Sequence, residues 1–398
     1  MTTNQVNENE YTIDGWEDET LDLKKKLMRG IYSFGFEKPS SIQKKAIYPF
    51  IKKNKKGERR DIVAQAQSGT GKTGCFVISA LQIIDETNPN TQIMIIAPTH
   101  ELAEQILNVV QSLGLYLKIK SQLLIGGKSV ERDKKDLEEN TPQVVVGTPG
   151  RIHDMLRRKY LKTRNMKLLV VDEADEMLSM GFVDQMYRIF QFMPQNIQIG
   201  LFSATMPNEL EELTVKFLRE PTKILVNADE LTLQGISQFY ISIEDDLMKY
   251  ECIKDLFSNL TISQAIIYCN STRRVDDLAE AMKQDEFPVE KIHGKMGQKE
   301  RKVIFNEFKG GKCRVLITSD LFARGIDVQQ VSIVINFDIP KNEHTYLHRI
   351  GRSGRWGRKG VAINFQTKYD VQRLKKFEEY YETEIRELPN DYTSALNI

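Results

Sequence analysis

Cysteine is scarce in this sequence, and long apolar runs are missing. The four cysteines of the 398-residue chain are scattered, and no two of them form a Cys-x-x-Cys pair. This spacing argues against a disulfide framework or a zinc site and favours a reducing compartment. No apolar run approaches the ~20 residues of a membrane-spanning helix. The polar residues 1–11 lack the apolar segment of a signal peptide, and we expect them to form a disordered tail.

An excess of charge of one sign is missing as well. The 56 Lys and Arg residues against 55 Asp and Glu residues give a net charge of +1. The chain therefore has no overall basic field, and any surface for nucleic acid must be a local patch. The composition, 40% apolar and 28% charged, is that of an ordinary globular protein. The length favours two domains over one.

The most informative segment has the pattern of a phosphate-binding loop. Residues 66–73 read Ala-Gln-Ser-Gly-Thr-Gly-Lys-Thr, between an apolar run ending at Ala64 and a helix-like stretch beginning near Cys75. Glycines let several backbone N–H groups turn toward a phosphate, and the helix start adds partial positive charge. In such a loop Lys72 reaches the β and γ phosphates, and the Thr73 hydroxyl is a ligand for Mg²⁺. A surface turn rich in small residues is the alternative.

Short apolar runs alternate with amphipathic stretches in two successive series. Continuous apolar strands that alternate with helices indicate a parallel sheet covered on both faces. The predicted strands are 62–66, 93–97, 122–125, 144–146, 168–171, 199–202 and 223–226, then 239–243, 265–269, 289–292, 315–317, 333–336 and 361–365. The polar segment 227–235 separates the series, and we take it as an interdomain linker. The sequence therefore predicts two α/β domains, at 12–226 and 236–398, with the phosphate loop only in the first.

Two acids follow the apolar run 168–171. Ligands of open α/β sheets bind at the carboxyl ends of strands, so these acids are expected to face the phosphate loop. Asp172 can hold Mg²⁺ through its water shell, and Glu173 is then placed to polarise an attacking water. An exposed acidic helix start is the alternative, because the helix dipole also favours acids there. The Gly-Lys-Thr sequence upstream favours the nucleotide site.

Residues 172–175 spell Asp-Glu-Ala-Asp, and the chain resembles the DEAD-box RNA helicases. The resemblance extends from about Gly15 to the C-terminus. Its further motifs, in the family's order, lie at 35–43, 66–73, 98–103, 126–127, 148–151, 203–205, 267–270, 318–327 and 348–355. It implies two tandem RecA-like domains, each a mainly parallel sheet covered by helices, joined by a flexible linker. It also implies ATP and Mg²⁺ as cofactors and RNA as a partner.

The resemblance assigns the adenine base to residues near the N-terminus. Phe36 offers a stacking face, and the amide of Gln43 offers a donor and an acceptor to the edge of the base. An upstream aromatic of the family has its counterpart in Trp16, where phenylalanine is usual. From the residues alone, Phe36 also fits a core aromatic that follows a helix C-cap glycine, Gly35. The loop residues assigned to the nucleotide are Ala66, Gln67, Ser68, Gly69, Thr70, Gly71, Lys72 and Thr73.

In the second domain the resemblance makes Arg352 and Arg355 arginine fingers for the γ phosphate. Such a finger stabilises charge in the transition state and is worth ~10³-fold or more. Gly325 and Asp327 are assigned to the nucleotide, with Asp327 at the ribose in a closed state. Catalysis then requires closure of the two domains about the linker. A solvated basic face or an RNA patch is the alternative for these arginines and for Arg349.

The resemblance also implies that RNA lies across both domains. Backbone N–H groups at turns and helix starts hold phosphates without reading bases, so binding should be independent of sequence and sensitive to salt. Such turns are otherwise ordinary α/β loops. The residues assigned to RNA are Pro98, Thr99, His100, Gly126, Gly127, Thr148, Pro149, Gly150, Arg151, Asn270 and Thr318. The residues assigned to coupling the two sites are Ser203, Thr205 and His348.

Three features depart from the family's pattern. His100 replaces a usual arginine, so a mostly neutral imidazole would weaken a charge contact. Lys295 replaces an acid common in related sequences. The segment 52–60 is longer and more basic than the family's short turn. A solvated loop is its plain interpretation, and an extra contact with nucleic acid or a partner is the alternative.

Within the family, residues 176–179, 203–207 and 325–331 resemble the subfamily of translation initiation factors of the 4A type. That likeness implies a cytoplasmic, monomeric ATPase that locally separates short RNA duplexes, steadied by a scaffold protein of the initiation complex, with no membrane partner. The alternative is an ATP-gated RNA clamp in mRNA processing or an exon-junction-type complex, which would be nuclear. Both functions need every motif above, so the sequence leaves them open.

Overall fold

A computed structural model describes residues 12–54, 57–66, 69–225, 235–260, 262–320, 331–353 and 360–392. The chain divides into two compact units, Met1–Val226 and Asn227–Ile398. The expected tail at 1–11, and all of the expected linker except Gly235, lie outside the described residues. Within the described ranges, no helix combines the length and the apolar character that crossing a membrane requires.

The first unit is a seven-stranded parallel sheet with helices on both faces. Its strands are β1 Ile62–Gln65, β2 Ile93–Ile96, β3 Ser121–Leu124, β4 Val144–Gly147, β5 Leu168–Val171, β6 Gln198–Ser203 and β7 Thr222–Leu225. Its helices are α1 Lys25–Ser33, α2 Ser41–Ile51, α3 Lys72–Ile83, α4 His100–Leu113, α5 Val130–Glu139, α6 Pro149–Arg157, α7 Ala174–Ser179, α8 Val183–Gln191 and α9 Asn208–Phe217. The strand order is β3-β4-β2-β5-β6-β1-β7.

The second unit repeats this architecture. Its strands are β8 Ile236–Ser242, β9 Ala265–Tyr268, β10 Val289–Ile292, β11 Val315–Thr318, β12 Ile333–Asn336, β13 Gly360–Gln366 and β14 Arg386–Glu387. Its helices are α10 Met248–Asn259, α11 Thr272–Gln284, α12 Gln298–Lys309, α13 Glu343–Ile350 and α14 Val371–Tyr381. The strand order is β10-β11-β9-β12-β13-β8-β14, and all described pairs are parallel. Two tandem RecA-like sheets, as predicted, are confirmed.

The central strands β2, β4, β5 and β9 are apolar and buried along their whole length because both faces of each sheet are covered. In β2, Ile93 and Ile95 pack into one core layer, whereas Met94 and Ile96 pack into the other. Every apolar run predicted as a strand is a strand in the structure, and β5, β10 and β12 have the predicted bounds. The strand β14 was not predicted. It consists of two exposed charged residues, which carry no apolar signal.

The strand order determines which loops can meet. Because all strands are parallel, their carboxyl ends form one edge of the sheet. The strands β5, β6 and β1 are neighbours, so the loops that follow them meet at one half of this edge. The strands β3, β4 and β2 are also neighbours, and their following loops occupy the other half. The fold thus separates two sets of predicted site residues along one edge.

A glycine contact between helices gives a test of the packing. A Cβ on Gly30 of α1 would lie 2.0 Å from the carbonyl oxygen of Leu113, at the end of α4. Backbone cannot give way like a side chain, so we expect Gly30→Ala to destabilise the first unit by about 1–3 kcal/mol despite the better helix propensity of alanine. The measurement is the thermal unfolding midpoint, together with hydrogen exchange of α1 and α4.

Gly150→Ala is the matched control, because a Cβ on Gly150 of α6 would meet nothing within 4 Å. We expect its midpoint to stay at or above that of the unaltered chain. Equal midpoints for the two variants would contradict the close approach of α1 and α4.

Candidate functional site

The phosphate loop has a backbone shape that favours glycine. Gly69 and Gly71 have φ angles of 89° and 100°, which is the left-handed region. The carbonyl of Gly71 accepts the N–H of Cys75 at 3.0 Å, so α3 starts directly from the loop. A Cβ on Gly71 would lie 2.5 Å from Oγ of Ser40. Both the φ angle and the space around it therefore require glycine at this position.

Lys72 begins α3, and its ammonium group is buried beside the acidic pair. Its Nζ lies 3.3 Å from Oε2 of Glu173, and each side chain is 5% exposed. Asp172 follows β5 directly, and its Oδ1 accepts the N–H of Glu173 at 3.0 Å. Burial raises the pKa of Asp172, the Glu173 charge raises it further, and Lys72 opposes the rise. One ammonium group thus faces two buried carboxylates.

This excess of buried negative charge fits a divalent cation. Mg²⁺ takes hard oxygen ligands and keeps several of its waters. Asp172 offers a carboxylate after β5, and Thr73 offers a hydroxyl in the first turn of α3. The residues present therefore fit Mg²⁺, and Asp172 and Thr73 are the residues that would hold it.

Asp175 ties the acidic motif to the loop after β6. Its Oδ2 accepts the hydroxyl and the N–H of Thr205 at 2.6 and 3.2 Å, and its N–H donates to Oγ of Ser203 at 3.3 Å. The Ser203 carbonyl in turn accepts the N–H of Ala66 at 3.0 Å. The loops after β1, β5 and β6 are therefore one hydrogen-bonded unit. Sequence reasoning missed this role of Asp175, because a motif letter does not reveal a partner in another loop.

A helix-ending turn aims Phe36 at α3. Gly35 has a φ of 92°, and its N–H donates to the carbonyl of Tyr32 at 3.0 Å. The N–H of Phe36 donates to the carbonyl of Ile31 at 3.2 Å, which completes a Schellman motif. A Cβ on Gly74 of α3 would lie 2.9 Å from the half-buried Phe36 ring. The two interpretations of Phe36 are thus compatible, because the C-cap turn itself brings the ring beside the phosphate loop.

Gln43 and Trp16 are both buried, with partners that the sequence did not indicate. The Gln43 amide donates to the Gly71 carbonyl at 3.0 Å and accepts the N–H of Ser40 at 2.9 Å. It thereby fastens α2 to the phosphate loop. Trp16 is 1% exposed in the core, with its ring nearly parallel to that of Phe36 and the centroids 6.5 Å apart. In this structure Trp16 supports Phe36, and its direct contact with a base stays a prediction.

The other half of the edge carries the loops predicted to bind RNA. The hydroxyl of Thr99 accepts the N–H of Leu102 and caps α4, and Pro149 is the first residue of α6. His100 lies over the glycine pair, since a Cβ on Gly126 would be 3.4 Å from its Nε2. The predicted residues on these neighbouring loops are Pro98, Thr99, His100, Gly126, Gly127, Thr148, Pro149, Gly150 and Arg151. The starts of α4 and α6 thus lie at this edge, and helix starts are suited to phosphates.

Arg151 is held by the protein itself. Its guanidinium forms an ion pair with Asp133 of α5, where the side chains are 8% and 6% exposed. It also donates to the carbonyl of Lys128 at 2.7 Å. Burial raises the pKa of Asp133, and Arg151 opposes the rise. Arg151 therefore fixes the segment after the glycine pair onto α6, and its contact with RNA stays a prediction.

Arg349 is the centre of a buried network in the second unit. It is fully buried and donates to Oδ1 of Asp320 at 2.6 Å and to the Asp338 carbonyl at 2.7 Å. It also donates to the side-chain oxygens of Asn336 at 3.1 Å and Asn270 at 2.7 Å. The interpretation of Arg349 as part of a solvated basic face is wrong, because the side chain is buried. Its guanidinium joins the ends of β9, β11 and β12 to α13. The side-chain oxygen of Asn270 accepts from Arg349, and its amide nitrogen donates to the Ile339 carbonyl at 2.9 Å. The contact of Asn270 with RNA stays a prediction.

The remaining predicted residues of the second unit are only partly described. Thr318 is buried at the end of β11, and its hydroxyl donates to the Ser319 carbonyl at 3.2 Å. Nε of Arg352 donates to the His348 carbonyl at 3.1 Å, which holds Arg352 against the last turn of α13. The coupling role of His348 and the finger role of Arg352 stay predictions. The predicted site residues outside the described ranges are Gln67, Ser68, Gly325, Asp327 and Arg355.

Comparison with known families and proteins agrees with these motifs. Residues 40–213 match the DEAD/DEAH box helicase family, and residues 248–357 match the helicase conserved C-terminal domain. The chain is 53% identical over 378 residues to the Chaetomium globosum protein named ATP-dependent RNA helicase eIF4A, covering 95% of this chain and 93% of that one. It is 52% identical over 387 residues to the Caenorhabditis elegans eukaryotic initiation factor 4A, covering 97% and 94%.

Solved structures with both domains are also similar. The chain matches S. cerevisiae Dbp5 bound to RNA and ADP BeF3 with a TM-score of 0.87 and 34% identity, covering 95% of this chain and 97% of that one. It matches Mss116p bound to single-stranded RNA and AMP-PNP with a TM-score of 0.82 and 25% identity, covering 97% and 82%.

The Arg151–Asp133 pair gives a test of the loop architecture. Breaking a buried ion pair by removing one partner typically costs about 3–5 kcal/mol, because the other charge stays buried. We therefore expect Arg151→Met to destabilise the first unit and to speed hydrogen exchange around residues 126–133. Arg157→Met is the matched control on the same helix, since Arg157 is 64% exposed and pairs with Asp154. An exposed pair contributes about 0–1 kcal/mol, so equal losses would contradict the assignment.

Proposed function

Because the chain belongs to the DEAD/DEAH box helicase family, we propose that it is an ATP-dependent RNA helicase of translation initiation. ATP binding and hydrolysis would drive the local separation of short RNA duplexes in the 5′ region of mRNA. The curated relatives described above bear initiation-factor names, which supports this function over that of an RNA clamp in an exon-junction-type complex.

One observation carries the proposal. The loop that holds phosphates, the acidic motif and the Ser203–Thr205 loop are joined by hydrogen bonds through Asp175 and Ala66. A change at the nucleotide is therefore passed by these hydrogen bonds to the Ser203–Thr205 loop. A helicase needs such a link, because hydrolysis must alter the grip on RNA.

We propose that the buried charged residues of the first unit carry out ATP hydrolysis. Glu173 orients the attacking water and accepts its proton, and Lys72 stabilises charge on the β and γ phosphates. Mg²⁺, held by Thr73 and Asp172, would neutralise charge on the phosphate oxygens. Arg352 and Arg355 of the second unit are proposed to stabilise the transition state after domain closure, with Gly325 and Asp327 at the nucleotide.

RNA is proposed to bind through its backbone. The N–H groups at the starts of α4 and α6 hold phosphates, so binding is independent of base sequence and weakens with salt. Contacts to 2′-hydroxyls would favour RNA over DNA. A scaffold protein that binds the helicase would steady the closed state of its two domains. We therefore propose a monomeric, cytoplasmic protein with such a partner.

The decisive variant is Glu173→Gln. We expect it to lower RNA-stimulated ATP turnover by about 10²-fold or more while ATP binding is retained, because an amide cannot accept the proton. The measurements are phosphate release with and without RNA, separation of a short RNA duplex, and binding of a fluorescent ATP analogue, each with and without an initiation-scaffold fragment.

Glu176→Gln is the matched control. Glu176 is also a buried carboxylate of this region, but it accepts the hydroxyl of Ser179 at 3.2 Å. The RNA-stimulated ATP turnover of Glu176→Gln should stay within a few-fold of that of the unaltered chain. Normal turnover in Glu173→Gln would refute the role of Glu173, and an unaltered protein without RNA-stimulated turnover would refute the proposed function.

The coupling contact predicts a different defect. Thr205→Val removes the 2.6 Å hydrogen bond to Asp175, which is worth about 1 kcal/mol or more because the acceptor is charged. We expect ATP turnover to persist while duplex separation per ATP hydrolysed falls. Thr214→Val is the control, since that hydroxyl donates only to the Glu211 carbonyl within α9. Equal loss of turnover and strand separation in Thr205→Val would contradict a coupling role.

A further inference from the structure

The basic segment 52–60 lies at the amino edge of the first sheet, away from the nucleotide loops. It precedes β1, and Lys167 occupies the position just before β5. The strand β6 lies between β1 and β5. From its first residue, Gln198 donates a side-chain N–H to the carbonyl of Arg60 at 2.8 Å and its backbone N–H to the carbonyl of Lys167 at 3.1 Å. A single residue thus joins the two basic segments.

The two described ends of the segment, 52–54 and 57–60, are hydrogen-bonded to each other. Lys53 and Arg59 pair as an antiparallel bridge, and the N–H of Asn54 donates to the carbonyl of Glu58 at 2.7 Å. Nε of Arg59 donates to the carbonyl of Ile51 at 3.1 Å, which ties the turn to the end of α2. The positions of Lys53, Arg59 and Arg60 are therefore set by the backbone. We call Lys53, Arg59, Arg60 and Lys167 the amino-edge patch.

The positive charge of the amino-edge patch is opposed at Lys167 by the charge of Asp85, but it is not cancelled by direct ion pairs. Within the described ranges, none of its four cations forms an ion pair with a carboxylate. Burial lowers the pKa of Lys167, and the charges of Arg59 and Lys53 lower it further against the opposing charge of Asp85. These cations are thus close enough to repel one another, and binding of an anion would relieve that repulsion.

Two nearby acids are already engaged. Asp61 is buried, accepts the N–H groups of Ile199 and Arg219, and lies 3.7 Å from Nε of Arg219. Asp85 accepts the hydroxyl and the N–H of Thr87 at 2.7 and 3.0 Å. Glu58 is exposed at the tip of the turn and is the acid that remains close in sequence. Positive charge therefore predominates, in a chain whose net charge is only +1.

We propose that the amino-edge patch binds the phosphate backbone of an RNA segment, at a second site separate from the loops at the carboxyl edge. A phosphate backbone requires cations and no apolar contact, whereas a protein interface has an apolar core. In the described parts of segments 52–60 and 162–167, no large apolar side chain is exposed. Lys162 and Arg164, both exposed in the loop that leads to Lys167, extend the basic surface. This favours RNA over an acidic protein.

The distance between the two edges allows one RNA to reach both sites. The strands β1 and β5 have four residues each, so the edges are roughly 13 Å apart plus the depth of the loops. A short strand whose nucleotides are all held at the carboxyl edge has none left for the amino edge, whereas a long strand could continue there. The second site would keep the helicase on its RNA between rounds of hydrolysis. This inference rests on the proposed function, because the RNA must also be a ligand of the carboxyl edge.

The test uses the full chain with Lys53→Gln, Arg60→Gln and Lys167→Gln combined. Arg59 is left in place because it holds the turn to α2. Single-stranded RNAs of about 8 and about 40 nucleotides are titrated across a salt series in the presence of a non-hydrolysable ATP analogue. We expect unchanged affinity for the short RNA, roughly tenfold weaker binding of the long RNA at low salt, and a salt slope smaller by about 2 for the long RNA.

A variant of equal charge serves as the control. Lys118→Gln, Lys312→Gln and Lys368→Gln remove three exposed lysines from three separate loops. Intrinsic ATP turnover and the thermal midpoint should match the unaltered chain in both triple variants. Indistinguishable binding of the long RNA by the two variants would overturn the proposal. So would loss of poly-glutamate binding in the patch variant with RNA binding unchanged, which would assign the patch to an acidic protein.

Failure of the proposed function would look different. In that case the unaltered chain would bind neither RNA and would show no RNA-stimulated turnover, and both proposals would fall together. Suppose instead that the unaltered chain binds the short RNA and that the patch variant and the control variant bind the long RNA equally well. Then the proposed function stands and the second site does not.

Discussion

Two buried carboxylates share one buried ammonium group at the carboxyl edge of the first sheet, and the rest of the site is built around that imbalance. Lys72 pairs with Glu173 at 3.3 Å, while Asp172 is left with a raised pKa beside them. Such crowding is costly unless further positive charge arrives. The edge therefore favours a ligand that brings a cation with it, as a nucleotide bound with Mg²⁺ does. A bound nucleotide with Mg²⁺ would therefore also stabilise the folded state of the loops that carry Lys72, Asp172 and Glu173.

Both units position their loops with one buried charged side chain. In the first unit the Asp175 carboxylate joins the acidic motif to Thr205. In the second unit the Arg349 guanidinium joins the ends of three strands to α13. A buried charge with several partners has few alternative arrangements, so it holds loops more rigidly than apolar packing does. Each unit can therefore present its edge as a preformed surface.

The sequence predicted the strands and the nucleotide loops, but not what several side chains contact. Strands covered on both faces leave continuous apolar runs, so β5 and β12 were bounded correctly, whereas β14, two exposed charged residues, left no pattern. Motif spacing located Lys72 and Glu173 because the chemistry requires those residue types in order. It could not show that Asp133 takes Arg151 or that Trp16 is buried, because such partners come from segments distant in sequence.

The parallel sheet also gives its two edges different electrostatic character. At the carboxyl edge, helices begin, and their N-terminal N–H groups attract phosphates without any side-chain charge. At the amino edge helices end, so the dipoles disfavour anions there and cations are favoured. Arg59 serves this purpose, because its Nε donates to the carbonyl of Ile51 at the end of α2, whereas Lys53, Arg60 and Lys167 form no ion pair within the described residues. The two edges of one sheet can therefore both attract phosphates, the carboxyl edge through helix N–H groups and the amino edge through side-chain cations.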